Sequence, residues 1–160
     1  MVMPEKMLNV DYSKCTGCRT CEMVCSLIKE GKCNPLLSRN RVIKFEAKGI
    51  SIPTTCANCG KPYCMLVCPV NAISINAETA AVVVDETKCV GCRACAAVCP
   101  LGQASYHPER KVAIKCDLCE GDPQCVKFCP SGAISYGTID QSLMSRRREF
   151  YAKILEEEVS

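Results

Sequence analysis

Seventeen of the 160 residues are cysteine, and their spacing says what chemistry they could do. Cys89-Val90-Gly91-Cys92-Arg93-Ala94-Cys95-Ala96-Ala97-Val98-Cys99-Pro100 has the form C-x2-C-x2-C-x3-C-P, a run that holds [4Fe–4S] cubanes. Two intervening residues let a tight loop turn three thiolates inward onto three iron corners of one cube. The fourth thiolate sits on the following helix and points the other way. The proline cannot continue a hydrogen-bonded ladder and turns the chain aside after the last ligand.

The run has three near-copies. Cys15, Cys18, Cys21 and Cys25 repeat the spacing, with Ser26 in place of proline. Cys56, Cys59, Cys64 and Cys68 widen the middle gap to four residues before Pro69, and Cys116, Cys119, Cys125 and Cys129 widen it to five before Pro130. Together the four quartets take sixteen of the seventeen cysteines, leaving Cys33, and imply four [4Fe–4S] clusters. In two-cluster ferredoxins the fourth cysteine of each run ligates the other cluster.

Composition narrows the alternatives. Hydrophobic residues are 48% of the chain with cysteine counted among them, aromatics are 5%, and there is no tryptophan. The organic core is therefore thin, and a small domain short of core needs staples, which covalently tied clusters supply. A secreted disulfide framework fits poorly. The cysteine count is odd, the quartets are near-copies, and Met1 to Leu8 lacks the apolar run of a signal peptide. Zinc ribbons use C-x2-C pairs but have no need of the third and fourth cysteines at these offsets. The formal charge of +3 leaves out bound metal. A four-thiolate cubane carries roughly −2, so four would bring the protein to about −5, and the apparent basicity does not point to nucleic acid. No run of 18 apolar residues is present to span a membrane, and no twin-arginine motif stands at the N-terminus.

Short elements must position these thiols. Strands are expected at 8–11, 72–75, 81–85, 104–106, 111–115 and 133–136, where Ile, Val and Tyr concentrate, with a hairpin turn over 76–80. Brief helices are expected around 19–29, 61–67, 93–98 and 122–128. Cysteine loop, short helix, strand, turn and strand form the repeating unit. The fold class is α+β: two fused bacterial-ferredoxin units, each of the 2[4Fe–4S] kind, over residues 1–139. Within them, 26–55 is an inserted segment whose stretches 41–46 and 49–53 read as a hairpin. Residues 140–160 read as an amphipathic helix capped by Asp140 or Ser142, with Leu143, Met144, Arg147, Phe150, Tyr151, Ile154 and Leu155 on one stripe. Arg146–Arg148 near its start and Glu156–Glu158 near its end oppose the helix dipole. The stripe packs either on the protein's own core or on a partner, and could mediate self-association.

In order, the gaps 2-2-3, 2-4-3, 2-2-3 and 2-5-3 resemble those of the four-cluster iron–sulfur subunits of molybdenum and tungsten oxidoreductases. That family includes the iron–sulfur subunits accompanying dimethyl sulfoxide reductase and formate dehydrogenase, with relatives serving carbon monoxide dehydrogenase and hydrogenases. The short loops are similar to those of compact cytoplasmic members, such as the small subunits of tungsten aldehyde oxidoreductase-type enzymes. The resemblance covers residues 5–137, and Ser26 departs from it without removing a ligand. It implies nested pairing: Cys15, Cys18 and Cys21 with Cys129; Cys116, Cys119 and Cys125 with Cys25; Cys56, Cys59 and Cys64 with Cys99; Cys89, Cys92 and Cys95 with Cys68. It also implies a non-catalytic component of anaerobic metabolism. Single electrons would pass between a catalytic molybdenum or tungsten subunit and a soluble ferredoxin or flavoprotein. The alternative is a free polyferredoxin, or the small subunit of a formate dehydrogenase, carbon monoxide dehydrogenase or hydrogenase.

Little else competes for a catalytic role. His107 precedes Pro108 in a turn, no phosphate-cradling glycine loop is present, and Cys33 reads as a thiol outside the quartets. Lys14, Arg19, Lys88, Arg93, Lys115 and Lys127 lie near the quartets. They could favour the extra electron on a cluster, but the plainer expectation is that they are solvated surface charges.

Overall fold

The computed structural model describes residues 6–138 together with Arg148, Glu149 and Ala152, which are helical. The expected amphipathic helix over 140–160 otherwise lies outside the described residues.

Among the described residues, eight short strands pair into four antiparallel ribbons. Strand β1 (Met7–Val10) pairs with β8 (Ile134–Gly137), joining the two ends of the described chain with Met7 opposite Gly137. Strand β2 (Arg41–Phe45) pairs with β3 (Ile50–Thr54) to form the inserted hairpin. Between these lie β4 (Ile73–Ile75) with β5 (Val82–Val84), and β6 (Ser105–Tyr106) with β7 (Ala113–Ile114). The two latter ribbons turn alike. Asn76 N–H donates to Ala81 O and Ala80 N–H to Asn76 O, while His107 N–H donates to Val112 O and Lys111 N–H to His107 O. The result is an α+β architecture of short helices and small antiparallel ribbons.

The helices are α1 (Thr20–Glu30), α2 (Tyr63–Leu66), α3 (Ala94–Val98) and α4 (Gln124–Lys127). Helix α1 packs on α4, and α2 on α3. Three of them stop within five residues because Pro69, Pro100 and Pro130 follow the fourth cysteine. Helix α1 runs straight through Cys25 because Ser26 keeps its N–H and carries no ring. It ends instead at Gly31, where a φ of 65° lets the N–H reach Leu27 O at 2.8 Å. Ser26 is fully buried; its hydroxyl donates to Met23 O and accepts from Asn34 N, each at 3.0 Å.

Two small cores result. One gathers Leu8, Val42, Ala81, Leu118 and Ile134 around Cys21 and Cys125. The other gathers Ile73, Val82, Ala104 and Ala113 around Cys64 and Cys95. The inserted hairpin is pinned to α1 by Glu22, whose buried Oε1 accepts Val42 N–H at 2.5 Å.

Candidate metal centres

The four cysteine loops share one backbone device. The residue before the second cysteine has positive φ in each: Gly17 (69°), Asn58 (44°), Gly91 (68°) and Leu118 (58°). Arg19 and Arg93 follow in the same region at 60° and 62°, as do Cys119 at 48° and Glu120 at 58°. Successive residues near the left-handed region turn their N–H groups into one concavity, a nest that suits an anionic centre. Gly91 is also required sterically, since a Cβ there would stand 2.1 Å from the Lys111 carbonyl oxygen, whereas one on Gly17 would meet the side-chain Ser51 Oγ at 2.4 Å. Asn58 meets the same need by bonding, its Oδ1 accepting Val82 N–H at 2.9 Å. Leu118 meets it by burial, with none of its surface exposed.

The strands that enter the first and third loops end in a matching turn. Asp11 N–H donates to Ala133 O and Asp85 N–H to Ala72 O, while Ser13 and Thr87 N–H groups donate to the Asp11 and Asp85 carboxylates. Asp-x-Ser/Thr-Lys-Cys, written twice in the sequence, was the available signal for this turn.

The loops bring sixteen cysteines around four cavities. One is lined by Cys15, Cys18, Cys21 and Cys129, and the next by Cys25, Cys116, Cys119 and Cys125. A third is lined by Cys56, Cys59, Cys64 and Cys99, and a fourth by Cys68, Cys89, Cys92 and Cys95. Cys33 is exposed and lines none of them. The third cysteine of every quartet is buried; the second is exposed in three quartets and half-buried at Cys119.

Shared cores and electrostatic proximity order the cavities. Cys21 and Cys125 share one core and Cys64 and Cys95 the other. Cys116 lies within electrostatic reach of Cys56. The series therefore runs from the Cys15 cavity through the Cys116 cavity and the Cys56 cavity to the Cys89 cavity.

The surroundings fit a polynuclear centre with thiolate ligands. Among the described residues, no three or more His, Cys, Asp or Glu groups close on one point as a single bound ion would require. A tetrahedral zinc would draw four sulfurs to about 2.3 Å from one centre. Four cysteines line each cavity, one for each iron of a cube. Backbone N–H groups point at the fourth sulfurs: Ala72 to Cys68 at 3.2 Å, Gln103 to Cys99 at 3.3 Å and Arg39 to Cys25 at 3.3 Å.

Thiol acidity divides along the same lines. Burial pushes Cys21 and Cys125 up to about 12 and raises Cys15, Cys64, Cys95, Cys116 and Cys119. Bonds from the Thr20 hydroxyl and N–H lower Cys18. Burial opposes ionisation of Cys99 and Cys129, but N–H groups of Gln103, Leu101 and Ala104 for the one, and of Ile134 with the Ser131 hydroxyl for the other, outweigh it and hold both below the ordinary thiol range. The buried thiols would lose their protons to metal, so assembly releases protons.

The basic residues behave as solvated charges with one exception. Lys14, Arg19, Lys88 and Lys127 each leave half or more of the side chain exposed, and Arg93 is exposed over the Tyr106 ring at 4.0 Å. Lys115 is buried, and its Nζ donates to Cys56 Sγ at 3.3 Å. Burial works against its charge, but the sulfurs of Cys56, Cys64 and Cys99 more than offset this and raise its pKa. His107 stands in the expected turn yet is buried. Its Nδ1 accepts the N–H groups of Glu109 and Arg110, so Nε2 carries the proton toward Glu30 Oε2, 3.3 Å away. Glu30 also meets Arg39 at 2.5 Å and pairs with Arg110; bonds from Arg110, against an opposing effect of burial, and from Arg39 hold its carboxyl down at about 2.

Among the described residues no helix is long and apolar enough to cross a membrane. Residues 47–139 match the family model described as 4Fe-4S dicluster domain, and residues 12–27 that of 4Fe-4S binding domain. Over 117 residues the chain is 46% identical to the aliphatic sulfonate oxidoreductase, polyferredoxin-like subunit, of Pyrococcus furiosus, a match covering 72% of this chain and 66% of that one. It thus spans just under two thirds of that relative's length. Over 152 residues it is 36% identical to one polypeptide of the anaerobic dimethyl sulfoxide reductase of Escherichia coli, covering 82% of this chain and 73% of that one. Among solved structures, a polypeptide of the active site complex BamBC of benzoyl coenzyme A reductase in complex with zinc is similar over 99% of both chains, at 25% identity and a TM-score of 0.50. With thiols, N–H donors and family models in agreement, the chain belongs to the 4Fe-4S dicluster domain family and is similar to subunits of oxidoreductases.

Proposed function

We propose that the chain relays single electrons through four [4Fe–4S] clusters, one in each cavity, between a catalytic oxidoreductase subunit and a second redox carrier. The observation that carries this reading is the set of four cavities, each lined by four cysteines. The ligand sets are Cys15, Cys18, Cys21 and Cys129; Cys116, Cys119, Cys125 and Cys25; Cys56, Cys59, Cys64 and Cys99; and Cys89, Cys92, Cys95 and Cys68. A bound cubane supplies one-electron carriage. The chain's own part is to hold the thiolates at fixed corners, to aim N–H groups at sulfur, and to keep the third cysteines dry while the second cysteines face outward.

The nested series makes residues 1–139 two fused ferredoxin-like units, an outer one from the first and fourth quartets and an inner one from the second and third. With four thiols per cavity there is no open coordination position, so the subunit is not itself catalytic. The catalytic partner carries molybdenum or tungsten, of the aldehyde oxidoreductase type, and a soluble ferredoxin or flavoprotein subunit stands at the other end. The similarity to a polyferredoxin-like subunit of aliphatic sulfonate oxidoreductase supports an oxidoreductase partner. Residues 140–160 dock that partner or a second copy, and the complex is cytoplasmic.

Anaerobic purification tests the cluster reading. About sixteen iron atoms per chain, four per cubane, with matching sulfide and paramagnetic signals on reduction, are expected. Zinc without iron would sink it. A catalytic chain should co-purify and be lost when residues 140–160 are removed; retained association would sink the docking role alone.

A further inference from the structure

Two cations are buried among the described residues, Arg39 and Lys115. Arg39 is neutralised by Glu30 at 2.5 Å. Lys115 forms no ion pair with a carboxylate among the described residues. It is 7% exposed and donates to Cys56 Sγ at 3.3 Å, on the wall that it shares with Cys64 and Cys99. The other cavities are different. Lys29 and the buried Arg39 line the Cys116 cavity, each paired with a carboxylate at 2.5 Å, Asp117 and Glu30, and Arg19 and Arg93 line theirs from the exposed surface. One cavity of the four therefore faces a dry positive charge with no carboxylate against it.

The placement is also special along the chain. Lys115 directly precedes Cys116, so its backbone belongs to one cavity while its ammonium reaches the next. It stands at the joint between the outer and inner halves of the series. A four-thiolate cubane gains one unit of negative charge when it takes an electron, from roughly −2 to roughly −3. A fixed positive charge in a low-dielectric wall stabilises the more negative form more.

We propose that Lys115 is a potential-setting residue: its buried ammonium raises the reduction potential of the cluster held by Cys56, Cys59, Cys64 and Cys99. The cluster these cysteines would hold gains one electron on reduction, and a neighbouring carrier in the series, on either side, would lose one. No bond forms or breaks, and Lys115 keeps its protons. The inference rests on the cluster assignment above.

The test is an anaerobic redox titration of the full chain, followed by paramagnetic resonance, with iron determined on each sample. Cys99→Ser identifies the reductive step that belongs to this cavity. In Lys115→Gln and Lys115→Met that step should move to lower potential, its reduction weakened roughly tenfold, about 59 mV for one electron. Lys115→Arg should keep it near its original value, and Lys88→Gln, at an exposed site, should move none. Unmoved steps in neutral variants with full iron would overturn the proposal. So would an arginine variant displaced as far as the glutamine one. Loss of iron in both neutral variants would also overturn it, since the charge would then be holding the cluster instead of setting its potential. Fewer than four steps in the unsubstituted chain would count against the cluster reading and not against Lys115.

Discussion

The inner half of the molecule, around the second and third quartets, is built from local pieces; the outer half is built across the whole chain. In the inner half Cys68 and Cys99 each receive an N–H from four residues further on, at Ala72 and Gln103, just past a proline that ends the helix. In the outer half Cys25 lies within α1 and has no such turn after it. Its N–H comes from Arg39, fourteen residues on, in the lead to the inserted hairpin. The insertion is thus more than a cover. It returns to Cys25 the donor that the missing proline turn would otherwise supply, and Ser26 ties the return by holding Asn34. A departure from the repeat at one residue and an insertion of about thirty are two parts of one solution.

The halves are also fastened to each other by charge. Glu30, at the end of α1, meets Arg39 of the outer half and Arg110 and His107 of the inner half's β6–β7 turn. Glu30→Leu would leave Arg39 buried and unpaired, a loss of about 3–5 kcal/mol. The thermal midpoint of the iron-loaded protein, followed by cluster absorbance, should fall by roughly 10 °C. A midpoint within about 2–3 °C of the parent would show that the halves hold without this clasp. Because the carboxyl is held near 2, below its ordinary range, the clasp is complete above that range and is lost as pH falls toward 2.

The contrast between helices gives the next largest effect. Ser26→Pro restores the repeat in sequence but puts a ring inside an 11-residue helix, removing one hydrogen bond and both Ser26 contacts. About 3 kcal/mol or more should be lost. Pro69→Ser, at an exposed site in the inner half, should stay within about 0.5 kcal/mol. Equal effects in the two variants would erase the distinction between the two helices.

The two glycine loops offer a finer measure. Gly91→Ala drives a Cβ against a backbone carbonyl, whereas Gly17→Ala meets a serine hydroxyl that can rotate. Both incur the left-handed penalty of about 1 kcal/mol, and Gly91→Ala should cost about 1–2 kcal/mol beyond it. Iron retention on mild heating ranks the pair, and a worse outcome for Gly17→Ala would contradict the geometry.

The quartets and the strands around them were legible because spacing and β-branched runs are local signals. Strands expected at 72–75 and 133–136 appear at Ile73–Ile75 and Ile134–Gly137, and the 41–46 with 49–53 hairpin appears as β2 and β3. Helices expected over 61–67 and 122–128 are only four residues long, because Pro62 and Pro123 delay their start and Pro69 and Pro130 hasten their end. What stayed hidden depends on distant partners. Lys115 looks like its exposed counterparts until Cys56, 59 residues away, is placed beside it. Leu118 at positive φ contradicts its residue type, and only its complete burial explains why it is tolerated. His107 reads correctly as a turn residue, but nothing near it in sequence announces Glu30.

The β1–β8 ribbon sets a condition on how the protein is made. Met7 finds Gly137, and Cys15 shares a cavity with Cys129, only after nearly all of the described chain has left the ribosome. At ordinary synthesis rates the first three thiols wait on the order of ten seconds for their fourth partner. The inner pair can close earlier, once Cys99 has emerged. During translation the N-terminal thiols are therefore the ones left longest without the partner that completes their cavity.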